Sequence, residues 1–248
     1  MIELPAAWRG VRAISFDLDY TLWDLAGVIE QAEQTAHDYL ARYYPRVAER
    51  YGSARQLVEK RLQLLERQPQ LRHNVTAWRR EALAELAREC GYQQRLVDEA
   101  FDVFLEARHR IVPYQDALPV LGYLRRHYTL GVITNGNADV HRLGLGHYFD
   151  FVVSAVDIGS AKPDHLIFEA ACHRAGVAPA QMLHIGDEPH CDVYGAARYG
   201  MQAVWLNRHG RVWPPELDRV PHVEIDSLQA LAALPGPLSR CSAVDGPG

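Results

Sequence analysis

Val11-Arg12-Ala13-Ile14-Ser15-Phe16-Asp17-Leu18-Asp19-Tyr20-Thr21-Leu22 is the stretch on which the reading of this chain turns. Val11 to Phe16 is a short apolar run, interrupted at Arg12 and Ser15, that ends in two carboxylates one residue apart. Such a run reads as a strand over 11–17, buried on both faces as parallel sheets require. Asp17 and Asp19 then leave the strand at its carboxyl end, the edge where open α/β sheets bind ligands. Side chains alternate along an extended chain, so both carboxylates point to the same side. Two carboxylates that close repel unless a cation sits between them or one holds a proton. A strand followed by an Asp-rich turn would show the same residues, so the remaining strand ends decide between the two readings.

Outward from this stretch the pattern changes. From Trp23 to about Val112 no strand is predicted, only helical periodicity. Residues 25–43 place Val28, Ala32, Thr35, Ala36 and Tyr39 on one stripe, and residues 53–67 do so with Leu57, Val58, Leu62 and Leu65. Residues 75–90 repeat it with Trp78, Ala82, Leu83, Leu86 and Ala87, and residues 93–110 with Leu96, Val97, Ala100, Phe104 and Ala107. Gly52 and Gly91 fall where helices should stop, and Pro45 and Pro69 are expected to break the turns between them. After Pro113 strands and helices alternate. Helices are predicted over Leu118–His127, Val140–Leu145, Asp164–Ala175, Cys191–Tyr199 and Leu228–Leu234, with strands over Leu130–Thr134, Phe151–Ser154, Met182–Ile185, Ala203–Leu206 and Val223–Ile225.

That alternation implies an α/β fold, a Rossmann-like parallel sheet with helices on both faces. A segment of several helices is far longer than an ordinary crossover. The expected architecture is therefore an α/β core domain, residues 1–22 and 113–234, interrupted by an inserted helical cap domain, residues 23–112. The chain would cross between them near Leu22–Leu25 and Ile111–Gln115, which places the insertion over the Asp17 site like a lid. Residues 235–248, rich in Pro, Gly and Ser, read as a disordered tail.

Composition narrows the function. The chain has 248 residues, 48% hydrophobic and 23% charged, as ordinary soluble globular proteins do. Its formal net charge of −5 offers no broad basic field for nucleic acid or anionic lipid. Arg79-Arg80 and Arg125-Arg126 read as solvated helix faces. Cys90, Cys172, Cys191 and Cys241 form no CxxC pair, which suggests reduced thiols and a cytoplasmic location. Met1 to Gly10 lacks an apolar signal-peptide region, and no run is long enough to span a bilayer.

The polar residues at the strand ends form a set. The first strand ends in Asp17 and Asp19, the second in Thr134-Asn135-Gly136, and the fourth in Gly186-Asp187, with Asp192 further on. Lys162-Pro163 stands just before a helix. Parallel strands bring all of these to one edge. Asp17, Asp19 and Asp187 offer oxygen ligands without sulfur or imidazole, which suits a hard cation and Mg²⁺ in particular. Thr134 and the backbone N–H groups around Asn135 and Gly136 can receive an anion, and Lys162 adds a point charge. A cation, a lysine and donors around a carboxylate are the parts phosphoryl transfer needs. An aspartate nucleophile would divide that reaction into two steps, with a neighbouring carboxylate moving the proton. Each piece alone is a common turn; their occurrence together at strand ends carries the reading.

The set closely resembles the haloacid dehalogenase-like superfamily. Asp17-Leu18-Asp19-Tyr20-Thr21 matches its DxDxT motif, Ile133-Thr134-Asn135-Gly136 the strand ending in Thr or Ser, Lys162-Pro163 the lysine motif, and Gly186-Asp187 with Asp192 the GDxxxxD motif. The resemblance implies that Asp17 is the nucleophile and a metal ligand. It implies that Asp19 is the general acid/base with its carbonyl on Mg²⁺, and that Thr134 and Lys162 bind the phosphoryl group. Asp187 would be a further metal ligand, Asp192 would orient Lys162 or the metal shell, and Thr21 would steady Asp19. Glu188-Pro189-His190 departs from the small polar residues expected there, and the longer Glu188 could itself reach the metal. The inserted helices look like the family's C1 cap.

Within the superfamily the chain is most similar to bacterial FMN and pyrimidine phosphatases. The similarity lies in Ile133-Thr134-Asn135-Gly136-Asn137-Ala138, Leu143-Gly144-Leu145-Gly146-His147-Tyr148-Phe149 and His73-Asn74-Val75-Thr76-Ala77-Trp78-Arg79. It implies a small-molecule phosphate ester as substrate, FMN or 5-amino-6-(5-phospho-D-ribitylamino)uracil of riboflavin biosynthesis, and a monomer or homodimer. Specificity would come from the cap, with His73, Asn74, Trp78 and Arg79 as candidates. Trp78 on its apolar stripe reads first as core, and Arg79 as a solvated face. The alternatives are a haloacid dehalogenase, in which a carboxylate at position 19 would be superfluous, and a phosphomutase, for which no second phosphate site is marked. A non-catalytic metal- or phosphate-binding module is the reading outside enzymes, and the lid argues against it.

Overall fold

The computed structural model describes Trp8 and residues 10–234. The tail expected over 235–248, Cys241 within it, and most of the first ten residues lie outside the described residues. Six parallel strands form one sheet: β1 (Ala13–Phe16), β2 (Thr129–Thr134), β3 (Phe151–Ser154), β4 (Met182–Gly186), β5 (Gln202–Leu206) and β6 (Val223–Ile225). Their order is β3-β2-β1-β4-β5-β6. The chain winds outward from β1 to β3, then returns to the other side of β1. The strand order therefore reverses beside β1, and a crevice at such a point is where ligands bind. Phe16 is level with Val132 of β2 and with Ile185 of β4, and these strands run on only to Thr134 and Gly186, so the three end close together.

Between β1 and β2 the chain makes α1 (Val28–Tyr43), α2 (Pro45–Arg50), α3 (Ala54–Arg67), α4 (Val75–Glu89) and α5 (Gln94–Arg108), with a short 3₁₀ turn at Pro69–His73. Capping explains the breaks. Ser53 accepts from Gln56 N–H and Asn74 from Ala77 N–H, each satisfying an orphan donor of a first helical turn. Gly91, at φ 68°, ends α4, with Tyr92 N–H donating back to the Ala87 carbonyl at 2.8 Å. Pro45 and Pro69 do not merely break turns. Each opens a helix at its first position, where the missing N–H costs nothing.

The inner faces differ from the apolar stripes read from sequence. In α1 the buried side is Ala32, Glu33, Ala36, His37 and Leu40, with Thr35 and Tyr39 only half-buried at its border. In α3 Arg61 and Leu64 are buried while Leu62 is half exposed. In α5 the predicted stripe is buried, and Arg108 continues it one turn past Phe104. Charged residues on the inner face rotate these helices away from a purely apolar register.

α6 (Ala117–Leu124), α7 (Ala155–Ile158), α8 (His165–Ala175) and α9 (Gly195–Tyr199) cover the sheet. Alternation along β1 sends Ile14 and Phe16 to one face, against Val120, Leu121 and Leu124 of α6. Ala13 goes to the other face, against a cluster built on Ile167, Phe168 and Ala171 of α8. The helix expected over Val140–Leu145 is instead a turn. Asp139 Oδ1 accepts from His141 and Arg142 N–H, Gly144 takes φ 73°, and Leu145 N–H reaches back to Val140. Local side-chain bonds of this kind compete with helix formation. The helical stretch expected from Cys191 begins at Pro189 as a wide π-type turn, and Leu228–Ala233 is a 3₁₀ helix.

The two chain crossings meet. Trp23 pairs antiparallel with Pro113, and Tyr114 N–H donates to the Leu22 carbonyl at 2.9 Å. Just beyond α5, His109 Nε2 accepts from Asp139 N–H at 2.9 Å, while Nδ1 donates to the Leu105 carbonyl at 2.6 Å. Burial pushes this imidazole below its ordinary value, and the nearby Arg108 and Arg142 add to the effect against the Leu105 bond. A histidine lowered in the folded state contributes stability that is present above its unfolded value, about 6.5, and lost as pH falls below it. Thermal unfolding should therefore lose stability between about pH 7 and pH 5, and His109→Gln should flatten that slope. An unchanged slope in the variant, followed by circular dichroism, would refute the assignment.

Candidate active site

The aligned ends of β1, β2 and β4 bring the sequence-predicted residues to one edge. Asp17 follows β1 directly, its N–H bonded to the Ile185 carbonyl of β4 at 2.9 Å. Thr134 closes β2, and Asp187 follows Gly186 at the end of β4. Lys162 arrives from a loop joined to Pro163 by a cis peptide. Asn135 clamps that loop from both sides, its Oδ1 accepting from Lys162 N–H at 2.8 Å and its Nδ2 donating to the Lys162 carbonyl at 3.0 Å. The side chain of Asn135 therefore positions Lys162.

The Lys162 ammonium is the centre. Nζ donates to Asp17 Oδ1 at 2.6 Å, Asp192 Oδ1 at 2.6 Å and the Ile133 carbonyl at 2.7 Å. An ammonium has three donors, so all are engaged. Burial alone would lower this lysine, but Asp17 and Asp192 outweigh it and raise it above its ordinary value. Asp192 is held in turn by His184 Nε2 at 3.3 Å and by Glu188 N–H at 3.0 Å. Burial opposes its charge, yet Lys162 and His184 keep its carboxyl well below the usual range. His184 is itself pushed down by burial, and its ring bridges Asp192 at Nε2 and the Ser15 hydroxyl at Nδ1, 2.9 Å away. The glycine of Gly186-Asp187 has a packing cause, because a Cβ there would lie 2.2 Å from Asp192 Cγ.

Asp19 sits beside this network and is not part of it. Trp23 Nε1 donates to its Oδ1 at 2.8 Å, and Arg108 reaches its two oxygens at 2.8 Å and 2.7 Å. Arg108 is fully buried, and its Nε donates to Asn137 Oδ1 at 3.2 Å. Arg108, Trp23, His184 and Ser15 were not singled out from sequence. The available signal for Arg108 was a charged residue continuing an apolar helical stripe. Thr21, expected to steady Asp19, is buried with its hydroxyl unpartnered among the described residues. The left-handed turn at Tyr20, φ 62°, separates the two, and Trp23 and Arg108 steady Asp19 instead. Thr134 Oγ1 accepts from Gly136 N–H at 3.0 Å, so that N–H is not free for an anion; it orients the hydroxyl, which keeps its own proton to donate.

Asp17, Asp187 and Asp192 each offer an oxygen within 4.8 Å of the others. Burial raises Asp17 well above the carboxylate range, with Lys162 opposing and Asp192 and Asp187 adding. Burial and then Asp192 push Asp187 up to about 7. Burial outweighs the positive charges these carboxylates meet, Lys162 at Asp17 and Arg211 at Asp187, and an all-oxygen donor set of this kind fits a hard divalent cation such as Mg²⁺. Asp17 and Asp187 are the residues that would hold it, since both Asp192 oxygens are already engaged. Glu188 lies outside this group. Its carboxylate accepts from Cys191 N–H at 2.6 Å, capping the wide turn and lying near His190 and Cys191 instead. A cleft of about 220 Å³ opens beside Asp187, between Tyr20, Arg208, His209 and Arg211.

The cap candidates are separately placed. Thr76, at the start of α4, lies 3.5 Å from Asn137 Nδ2, so this helix end stands over the turn after β2. Asn74 caps α4, and His73 ends the preceding 3₁₀ turn. Trp78 donates Nε1–H to the Arg61 carbonyl at 2.8 Å. Arg79 is not a solvated face residue, because its guanidinium is buried against Glu33. Arg80 remains partly exposed beside Asp98.

A family model described as haloacid dehalogenase-like hydrolase matches residues 11–200. The 5-amino-6-(5-phospho-D-ribitylamino)uracil phosphatase YigB of Escherichia coli (strain K12) is 33% identical over 232 residues, 90% of this chain and 96% of its own. The haloacetate dehalogenase H-2 of Moraxella sp. (strain B) is 28% identical over 91% of this chain and 98% of its own. A crystal structure described as 2-haloacid dehalogenase from Pseudomonas syringae pv. Tomato DC3000 superposes with a TM-score of 0.83 at 41% identity, covering 89% of this chain and 96% of that one.

Removing Lys162 leaves two buried carboxylates facing each other. Lys162→Met should destabilise the metal-free protein by about 3–5 kcal/mol, the cost of breaking a buried pair. Equal denaturation midpoints for variant and parent would show that the ammonium does not hold the site together.

Proposed function

The chain belongs to the haloacid dehalogenase-like hydrolases, and within that family we propose that it is a Mg²⁺-dependent phosphatase of a small phosphorylated metabolite. The observation that carries the reading is the grouping of Asp17, Asp187 and Asp192, two of them on one buried ammonium, with a fourth carboxylate, Asp19, held separately at the same edge. Bound there, Mg²⁺ would supply positive charge that favours the ionised forms of Asp17 and Asp187 and offsets the negative charge of the phosphoryl group.

The remaining work belongs to the chain's own residues. Lys162 fixes Asp17 through Oδ1, which leaves Oδ2 to attack phosphorus. As the Asp17–phosphorus bond forms, the ester P–O bond breaks, and the leaving oxygen takes a proton from Asp19. Asp19 then removes a proton from water. The water oxygen attacks phosphorus, the acyl-phosphate bond breaks, and Asp17 is restored with inorganic phosphate released. Thr134 donates to the phosphoryl oxygens, while Lys162, its three donors engaged, acts on them through its charge. Asp19 must first free an oxygen from Arg108, which stands at the end of α5. We take residues 23–112 as a cap and residues 1–22 with 113–234 as the core, so that movement of the cap carries Arg108 and frees Asp19.

The likeness to YigB over nearly the whole chain supports 5-amino-6-(5-phospho-D-ribitylamino)uracil or FMN as substrate. The unpaired thiols of Cys90, Cys172 and Cys191 support a cytoplasmic setting. Among the described residues no helix is long and apolar enough to cross a membrane. A second reading, haloacid dehalogenation, is favoured by the 41% identical structure that carries that name. It leaves Asp19 without a task.

Phosphate release should be lost on chelation and restored by Mg²⁺. Asp17→Asn should lower turnover by about 10³-fold or more. A panel of FMN, nucleotide and sugar phosphates together with 2-haloacids separates the readings, because halide release that is indifferent to chelator would overturn the phosphatase assignment.

A further inference from the structure

Away from the catalytic edge, Glu33 of α1, Arg61 of α3 and Arg79 of α4 meet inside the helical bundle. Arg61 donates to Glu33 at 2.6 Å and 3.2 Å, and Arg79 donates to the same two oxygens at 2.7 Å and 2.9 Å. The three side chains are 10%, 11% and 12% exposed, for Glu33, Arg61 and Arg79 in turn. Two guanidiniums thus share one carboxylate. Among the described residues neither has another acidic partner; Arg61 otherwise lies over the Trp78 ring and Arg79 over the Phe104 ring. Lys60, on the same wall, is matched by Glu89 at 2.5 Å and does not change the balance.

A buried positive charge is therefore left over, and such a charge is costly unless paired. Burial, joined by the neighbouring Arg61, pushes Arg79 down to about 10 against the pull of Glu33. Arg61 is nine-tenths buried, and its Nε meets no acceptor. Both arginines line a cavity of about 30 Å³ whose other walls include Leu40, Leu86 and Phe104. One water needs roughly 10–15 Å³ on this measure, so the space takes a water or two, or one monatomic anion, and is too small for the body of a metabolite.

We propose that this cavity is a binding site for a small monovalent anion of halide size, which completes the charge of the Glu33–Arg61–Arg79 cluster and ties α1, α3 and α4 together. The inference stands on the helical bundle alone and does not depend on the reaction at Asp17.

The full chain should be melted in sodium chloride and in sodium isethionate at matched ionic strength. Chloride should raise the midpoint saturably, by roughly 2–5 °C at about tenfold its dissociation constant. Crystals soaked in sodium bromide should show an anomalous peak between Arg61 and Arg79. Arg61→Met removes the surplus charge and should abolish the chloride increment. Glu33→Gln, which adds to the surplus, should enlarge it and serves if Arg61→Met does not fold. Equal midpoints of the parent protein in the two salts would overturn the proposal. So would bromide density without saturable stabilisation, which would mark an adventitious ion only.

Discussion

The buried ammonium of Lys162 is the contact on which this structure depends. Three acceptors from three separate stretches converge on it: Asp17 after β1, Ile133 within β2, and Asp192 after β4. Carboxylates buried this close repel, and only a cation between them makes their shared position tolerable. Much of the surrounding structure serves that placement. Asn135 grips the backbone of Lys162, Gly186 lacks the Cβ that would strike Asp192, and the Ser15–His184 pair of neighbouring strands supports Asp192. Even with this ammonium, and with Arg211 beside Asp187, burial raises the carboxyls of Asp17 and Asp187. The same imbalance that strains the resting site makes it receptive to a divalent cation.

A second constraint couples the helical segment to this edge. The chain leaves the sheet through Leu22 and Trp23 and returns through Pro113 and Tyr114, and these two passages pair with each other. Trp23 and Arg108, on opposite sides of the inserted helices in sequence, both hold Asp19. The carboxylate read as the proton carrier is therefore gripped where the inserted helices meet the sheet. Further out, the bundle carries its own charge network around Glu33. Its interior is thus organised by ion pairs as well as by the apolar contacts of Leu40, Leu86 and Phe104.

Much of the site was legible because its residues sit where strands end. Asp17, Thr134 and Asp187 each follow a short apolar run, and a parallel sheet gathers such ends without any further information. Arg108, Glu33 and Arg61 were illegible for the opposite reason. Helical periodicity sorts apolar from polar residues, so a charged residue on an inner face is assigned to solvent unless its partner is known. The partner of Arg108 is distant in sequence, at Asp19, and Glu33 reaches its arginines across two other helices. The Val140–Leu145 turn was missed because Asp139 and Gly144 act through local bonds that a periodic reading does not weigh. Thr21 was expected beside Asp19, but the turn at Tyr20 parts them.

By itself, then, the sequence determined the parallel α/β sheet, the long helical insertion after the first strand, and the convergence of Asp17, Thr134, Lys162 and Asp187. These follow from local periodicity and from the geometry every parallel sheet shares. Only the tertiary structure decided which oxygen meets which donor. It assigned the Asn135 side chain and the Gly136 N–H to internal bonds, gave Asp19 to Arg108 and Trp23, turned Glu188 away toward Cys191, and left two arginines around one glutamate. Those choices rest on distances between residues far apart in the chain, where a fraction of an ångström separates a hydrogen bond from an empty donor and no spacing in the sequence records it.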